Sequence, residues 1–521
     1  MKKQSFIKGT MILLAAGIVN RLLGFIPRIT LPRVIGAEGV GLYQMGYPFM
    51  IVVLTIITGG IPIAVAKLVA EADSEGNEAR IRRIIAGSLT ITVGLSLVFT
   101  ALCIVGARWI TSHLLTDARV YDTFISMSPI LSIVAVSSVF RGYFQGRQNM
   151  IPSAVSQVVE TVVRIVAMLA ISFLLLPYGI EKAAAGAMIG VVIGELGGMA
   201  VLLYHHKRNP VRKRLAGIAS EAKRVQTRLS AEIKRILTIS IPVTGSRLVG
   251  STSYLLESIM IAQSLAIAGI ATGAATAQYG MLQGMVIPIL LLPGALTYSL
   301  SVSLIPSLSE AAAKNDHVTI HKRLHQSLRL ALVTGAPFVV LMYMLAEPIC
   351  YFMYGNVEAA KMLKLMAPVA LFIYFQGPLQ ATLQALDRPG TALTNTFIGA
   401  AVKLLLIVWL ASKPEWGILG AIVAINANIV LVTMLHWNSV AKHVKFRMDG
   451  IHFLKTGFGM VIMGATCHIV MYMAWTNQAL MKFFASCAAG AAVYGAIIVL
   501  LGMVNKDDIR RVPGLGRFFK R

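Results

Sequence analysis

The sequence predicts an all-α polytopic membrane protein. About 14 transmembrane helices are expected, in two parallel-repeat six-helix lobes plus two C-terminal helices around a central cavity. Three observations carry this expectation. Of the 521 residues, 56% are hydrophobic and only 13% charged, roughly half the charge of a soluble domain. Apolar runs recur from end to end, each long enough to cross about 30 Å of hydrocarbon at about 1.5 Å per residue. Finally, a register of matched segments relates the first half of the chain to the second.

Taken in order, the spans read near 9–31, 40–69, 84–107, 122–141, 152–176, 183–204, 236–264, 277–309, 324–353, 362–385, 391–411, 417–436, 456–475 and 482–504. The start, MKKQSFIKGTMILLAAGIV, has the basic-then-apolar form of a signal peptide, but so many later spans mark it as an uncleaved first helix. With the N-terminus inside, cytoplasmic segments hold 32 of the 47 Lys and Arg residues and the opposite face holds 8. This positive-inside bias places both termini in the cytoplasm of a multi-pass protein of the cell membrane. The net charge of +25 therefore reports orientation, and no nucleic-acid partner is expected. Cys103, Cys350, Cys467 and Cys487 lie in apolar segments without paired spacing and read as small packing residues.

Segment matches set the domain plan. AKLVAEA (66–72) pairs with IPSLSEA (305–311), IRRIIAGSL (81–89) with IHKRLHQSL (320–328), and YFQGRQNMIPSA (143–154) with TLQALDRPGTAL (382–393), all at an offset of 239. That register lays Glu71 over Glu310 and Arg164 over Lys403. NRLLG (20–24) also pairs with SRLVG (246–250), and Tyr43 with Tyr279. Six spans separate the copies, so both have the same topology, as in parallel-repeat transporters that rock between access states. The expected divisions are an N-terminal six-helix lobe (1–204), a basic cytoplasmic linker (205–235), a C-terminal six-helix lobe (236–438), two additional helices (439–505) and a basic cytoplasmic tail (506–521). In the linker, Leu215, Ile218, Ala222, Val225, Leu229, Ile233 and Ile236 recur at helical spacing. An amphipathic helix lying against anionic lipid headgroups is expected there, with a phosphorylated ligand or a protein partner as the other reading.

Intramembrane ionisable residues point to function. The first lobe carries Arg21, Arg28, Glu160, Arg164 and Glu195; the second carries Arg247, Glu257 and Lys403. Arg21 and Arg28 are seven residues apart on one helix face, with Pro27 as a kink between them. Asn20 adjoins Arg21. Glu160 and Arg164 form an i,i+4 pair that either neutralises itself or faces a cavity. The surplus is positive and suits an anionic ligand, which guanidinium grips with a two-pronged donor set. There is no P-loop and no His/Cys/Asp cluster at metal spacing. His205, His206, His317, His321, His325 and His443 read as surface histidines, and the outer-loop carboxylates are scattered. Neither an enzyme, nor a cofactor, nor a metal site is expected.

The blocks NRLLGFIPRITLPRVIGAEGVGLYQM (20–45), KLVAEA (67–72), FRGYFQGRQNMIPSAVSQVVE (140–160), TGSRLVG (244–250), SLAIAGIATGAATAQYG (264–280) and YFQGPLQATLQALDRPG (374–390) closely resemble the stage V sporulation protein B group. That group belongs to the polysaccharide-transporter branch of the multidrug/oligosaccharidyl-lipid/polysaccharide exporter superfamily. The resemblance implies a flippase for a lipid-linked cell-wall precursor, lipid II, working by alternating access in support of spore-cortex peptidoglycan. It carries over Arg21, with Arg28 as its displaced companion. Together with the positive surplus this makes Arg21, Arg28, Arg164, Arg247 and Lys403 the expected headgroup ligands, with Asn20, Glu160, Glu195, Glu257 and Asn395 as polar or gating groups. In related lipid II flippases a second arginine follows the first by six positions. Here that position is Pro27 and the arginine stands at Arg28. Some relatives bind sodium through aspartates on the seventh and eleventh helices, where this chain offers only Glu257 and Asn395. The rivals are export of another polyprenyl-linked glycan or an amphipathic drug, and a non-transporting scaffold for cell-wall synthesis enzymes.

Overall fold

A computed structural model describes residues 6–208 and 222–503. Residues 1–5, the middle of the expected linker (209–221) and the expected tail (506–521) lie outside the described residues. Every regular element among the described residues is helical. The chain divides into two compact units, Met1–Gly284 and Met285–Arg521.

The first unit holds α1 (Phe6–Leu23), α2 (Phe25–Met45), α3 (Tyr47–Thr58), α4 (Ile61–Ser74), α5 (Glu78–Trp109), α6 (Val120–Met127), α7 (Ile130–Gly146), α8 (Ile151–Leu175), α9 (Ile180–Lys207), α10 (Ala222–Ile267) and α11 (Thr272–Gly280). The second holds α12 (Ile287–Leu291), α13 (Gly294–Ala313), α14 (His317–Met344), α15 (Ala346–Tyr354), α16 (Ala359–Met366), α17 (Ala370–Ala385), α18 (Pro389–Leu406), α19 (Gly417–Val444), α20 (Gly450–Tyr472) and α21 (Ala479–Leu500). Twelve helical stretches among the described residues are long and apolar enough to cross a membrane, two fewer than the spans read from the sequence. Met11–Ser74 counts as one stretch where two spans were expected. The other difference is α10, whose Ser, Thr and charged residues dilute the expected span at 236–264.

The first expected span is not one helix. Pro27 has no N–H to give to the carbonyl of Leu23, and α1 ends at Leu23. Arg21 and Arg28 therefore sit on two helices, not on one continuous face. A second break follows inside α2, where Gly36 takes φ 68° and ψ −178°, a conformation open to glycine but strained for other residues.

The repeat is visible in the backbone. Gly76 and Asn315 (φ 65° and 53°), Thr116 and Gly355 (58° and 68°), and Gln148 and Asp387 (55° and 56°) are three left-handed pairs at the same offset of 239. Asn77 and Asp316 cap the helices that follow, accepting the backbone N–H of Arg80 at 2.9 Å and of Thr319 at 3.0 Å. α6 and α16 begin in that register, and α7 and α17 end in it.

Packing in the first unit relies on close helix approach. Gly142 and Gly146 of α7 form a small-xxx-small pair against α4; a Cβ on either would fall within 2.7 Å of the Pro62 or Ala66 carbonyl oxygen. Around them Ile61, Leu68, Ile84, Phe144, Leu202 and Ile236 share one buried cluster. Ile236, placed by its spacing on the linker's apolar stripe, is thus buried within the unit. Just before it, Glu232 accepts from Arg80 Nε at 3.1 Å and Arg235 Nη2 donates to Glu71 Oε2 at 2.8 Å.

The loop 115–119 forms a second polar centre. Asp117 is 1% exposed, and its carboxylate accepts from Arg119 Nη2 at 2.9 Å and Thr276 Oγ1 at 2.7 Å. Arg119 Nη1 also donates to Glu38 at 2.6 Å, so α2, α11 and the loop are tied together. Burial alone would raise the Asp117 pKa, but the Arg119 and Thr276 donors outweigh it and hold the carboxyl below its ordinary value of 3.8. A depressed carboxylate stabilises the fold above its unfolded pKa and loses that stabilisation as pH falls through the folded value. Thermal midpoints of the detergent-solubilised protein should therefore fall below pH 4 or so. Asp117→Asn should be less stable at pH 7 by about 1–3 kcal/mol and lack this acid limb.

Candidate functional site

A cavity of about 330 Å³ lies within the first unit, lined by Arg28, Pro32, Tyr43, Gln44, Tyr47 and Arg164, with apolar walls from Leu31, Val40, Met168 and Val191. Two of the intramembrane cations read from the sequence thus meet in one chamber. The break at Gly36 re-aims the second half of α2, so that Arg28 and Tyr43 line the same space. Arg28 also lies beside the ring of Phe25, its Cζ 6.0 Å from the centroid, within cation–π range.

Behind the cavity stands a four-member ionic network. Glu160 is buried, accepting from Arg141 Nη2 at 2.7 Å through one oxygen and from Arg164 Nη1 at 3.3 Å through the other. Arg164 Nη2 reaches Thr161 Oγ1 at 3.4 Å. Glu195 Oε2 is 3.9 Å from Arg141 Nη2 and is buried without a hydrogen bond among the described residues. The two arginines are held unequally. Arg141 makes a short charge-assisted bond, whereas both bonds of Arg164 are near the outer limit for hydrogen bonds. Arg164 is the one whose guanidinium can turn onto a stronger acceptor in the cavity.

Arg141 is missing from the sequence reading. As a charge at the end of an apolar run it reads as the boundary of the fourth span at 141, yet α7 runs on to Gly146. The Gly142–Gly146 spacing is the signal that the helix continues.

What brings α8 close enough to place Arg164 is a glycine row on α9. A Cβ on Gly190 would lie 2.3 Å from the Met168 backbone, and one on Gly194 would lie 2.5 Å from Arg164 Cβ. Gly194→Ala should therefore push α8 and α9 apart and cost about 1–3 kcal/mol, as overpacking does. Gly197→Ala, whose nearest contact would be 3.4 Å, should be tolerated. A thermal-stability assay on the two purified variants separates them.

The other candidates are dispersed. Arg21 is exposed on α1, and Asn20 Oδ1 is buried without a hydrogen bond among the described residues. Arg247 Nη1 donates to the Gly59 carbonyl at 2.7 Å, while Thr244 Oγ1 accepts the Gly60 N–H at 3.0 Å. Both α10 residues thereby satisfy backbone groups at the break between α3 and α4. Glu257 accepts from Gln283 Nε2 at 3.1 Å. In the second unit, Lys403 and Asn395 are buried on α18, and Asn395 donates to Ser439 Oγ at 3.0 Å.

Comparison with known proteins agrees with this architecture. The chain matches the family described as polysaccharide biosynthesis protein over residues 6–312 and the MatE family over residues 251–409. Stage V sporulation protein B of Bacillus subtilis (strain 168) is 42% identical, with 100% of both chains covered. Lipid II flippase MurJ of the same strain is 25% identical, with 98% of each chain covered. A solved structure of lipid II flippase MurJ in an inward closed conformation has a TM-score of 0.70 at 15% identity, covering 94% of this chain and 98% of that one. That last likeness shows a shared fold.

Proposed function

Because the chain belongs to the polysaccharide biosynthesis protein family, we propose that it is a flippase for a lipid-linked cell-wall precursor of the lipid II kind, serving spore-cortex peptidoglycan. The observation that carries this reading is the pairing of Arg28 and Arg164 in one cavity beside Tyr43, Gln44 and Tyr47. Two guanidinium groups offer paired N–H donors to a diphosphate, and the tyrosine and glutamine groups suit the sugars attached to it. Arg164 leaves its long bonds to Glu160 and Thr161 for the phosphate oxygens, while Arg141 keeps Glu160 in place. Arg28 and Arg164 are the centre of the assignment; Arg247 serves the Gly59 carbonyl instead.

With both termini in the cytoplasm, the headgroup moves outward with its negative charge. A diphosphate bearing about two negative charges gains about 4–5 kcal/mol on crossing an inside-negative potential of about 100 mV, so the potential alone is a sufficient driving force. The test is reconstitution in liposomes with headgroup-labelled lipid II, followed by a membrane-impermeant quencher. Flipping is expected with the protein and should speed up when the potential favours outward movement of anions. Rates equal to those of protein-free liposomes at every potential would rule the reading out.

A further inference from the structure

We propose that His325, Asp449 and His452 form a binding site for a divalent transition metal ion, zinc in the first instance, which clasps α20 to α14 in the second unit. His325 lies in the third turn of α14. Asp449 and His452 lie on either side of the start of α20, more than a hundred residues later. One ligand atom from each of the three falls within 4.8 Å of the others, and the two imidazole rings are 5.0 Å apart, centroid to centroid.

What these side chains do otherwise is informative. Asp449 occupies the N-cap position of α20 but makes no capping bond, whereas Asn77 and Asp316 both cap their helices. Its carboxylate is thus not spent on capping the helix and stands within 4.8 Å of a ring nitrogen of each histidine. The His325 ring makes no hydrogen bond among the described residues. By contrast, His205, His436 and His443 each place Nδ1 within 2.9 Å of a carbonyl four residues back, and His321 Nε2 meets the Val444 carbonyl. His452 is held at Nδ1 by the Met503 sulfur at 3.2 Å, which fixes the tilt of its ring as outer contacts do around metal ligands.

Two imidazoles and one carboxylate form a nitrogen–oxygen set suited to zinc and its neighbours, and poorly suited to magnesium or calcium. A tetrahedral ion with bonds of about 2.0–2.2 Å holds its ligand atoms about 3.4 Å apart. The present spread exceeds this by at most about 1.4 Å, and all three groups keep some exposure, which leaves their side chains room to turn. Three protein ligands leave one position for water. Arg329, one turn along α14 from His325, adds a positive charge that the Asp449 carboxylate opposes.

The position gives such a site a purpose. Helices α20 and α21 already pack on α14 through Val333, Ala336, Met463 and Tyr494, and Tyr494 donates to the Val333 carbonyl at 2.9 Å. The metal would lock the end of this contact where α20 begins. Sequence spacing conceals the site, since only Asp449 and His452 are near each other along the chain.

The test uses the full chain, purified without a histidine tag, stripped with chelator and titrated with Zn²⁺. One equivalent should bind saturably, unaffected by millimolar Mg²⁺, and should raise the thermal midpoint. His325→Gln and His452→Gln should each weaken binding at least tenfold and remove the thermal gain, while His443→Gln should bind as wild type. Co²⁺ bound to the unaltered chain should show the visible absorption of a low-coordinate nitrogen–oxygen site, a readout that needs no variant to fold. No saturable equivalent, a six-coordinate Co²⁺ spectrum, or unchanged affinity in both histidine variants would overturn the proposal.

Discussion

Arg164→Ala is expected to cut lipid II flipping at least about 100-fold in liposomes while the protein remains folded. The reasoning is geometric. Arg164 lines the cavity with Arg28, and its present bonds, 3.3 Å to Glu160 and 3.4 Å to Thr161, are weak enough to exchange for phosphate oxygens. A charge-assisted hydrogen bond is worth about 1.5–3 kcal/mol, and a two-pronged grip on phosphate makes two of them. Losing about 2.8 kcal/mol lowers affinity about 100-fold. The fold should survive, because Glu160 keeps its 2.7 Å bond from Arg141. Arg164→Lys should recover only part of the rate, since ammonium lacks the planar fork. Arg28→Ala should resemble Arg164→Ala, and the double variant should lose little more if both hold one headgroup. Wild-type flipping by Arg164→Ala, in protein shown to be folded, would refute this placement of the headgroup.

Much of the architecture was legible because backbone requirements repeat with the sequence. The offset of 239 follows from short segment matches, and the same offset governs the left-handed residues and helix caps. Other features depend on partners distant in the chain. Pro27 announces a bend, but the carbonyl it leaves without a partner belongs to Leu23, so the break falls a turn earlier and separates Arg21 from Arg28. Arg28 and Arg164 stand out as charges in apolar runs. Arg141 does not, since an arginine near the end of a hydrophobic run looks like the boundary itself. Its partner Glu160 lies on the next helix of a hairpin, where no periodicity links them. Arg247 was visible as a cation, but its acceptor is the backbone of Gly59, 188 residues away.

Glu160→Gln should be among the most damaging single substitutions in the first unit, lowering stability by about 3–5 kcal/mol, as expected when one partner of a buried ion pair is removed. Glu160 is 8% exposed and is the only carboxylate within 3.5 Å of both Arg141 and Arg164 among the described residues. Without its charge, two guanidinium groups share a partly dry pocket, and Glu195 is 3.9 Å from Arg141. A loss of that size is a large share of the roughly 5–15 kcal/mol that holds a typical protein folded, so low yield and a sharply reduced thermal midpoint are expected. Pairing identifies the cause. Arg141→Gln added to Glu160→Gln should restore much of the loss, because the short 2.7 Å bond couples those two residues. Arg164→Gln should restore less, its bond being 3.3 Å. Coupling of about 0.5–3 kcal/mol is the range for residues in contact, with the Arg141 cycle at its upper end. Strictly additive midpoints in both cycles would mean that Glu160 does not organise the network, and Arg164 would then need another residue to hold it at the cavity wall.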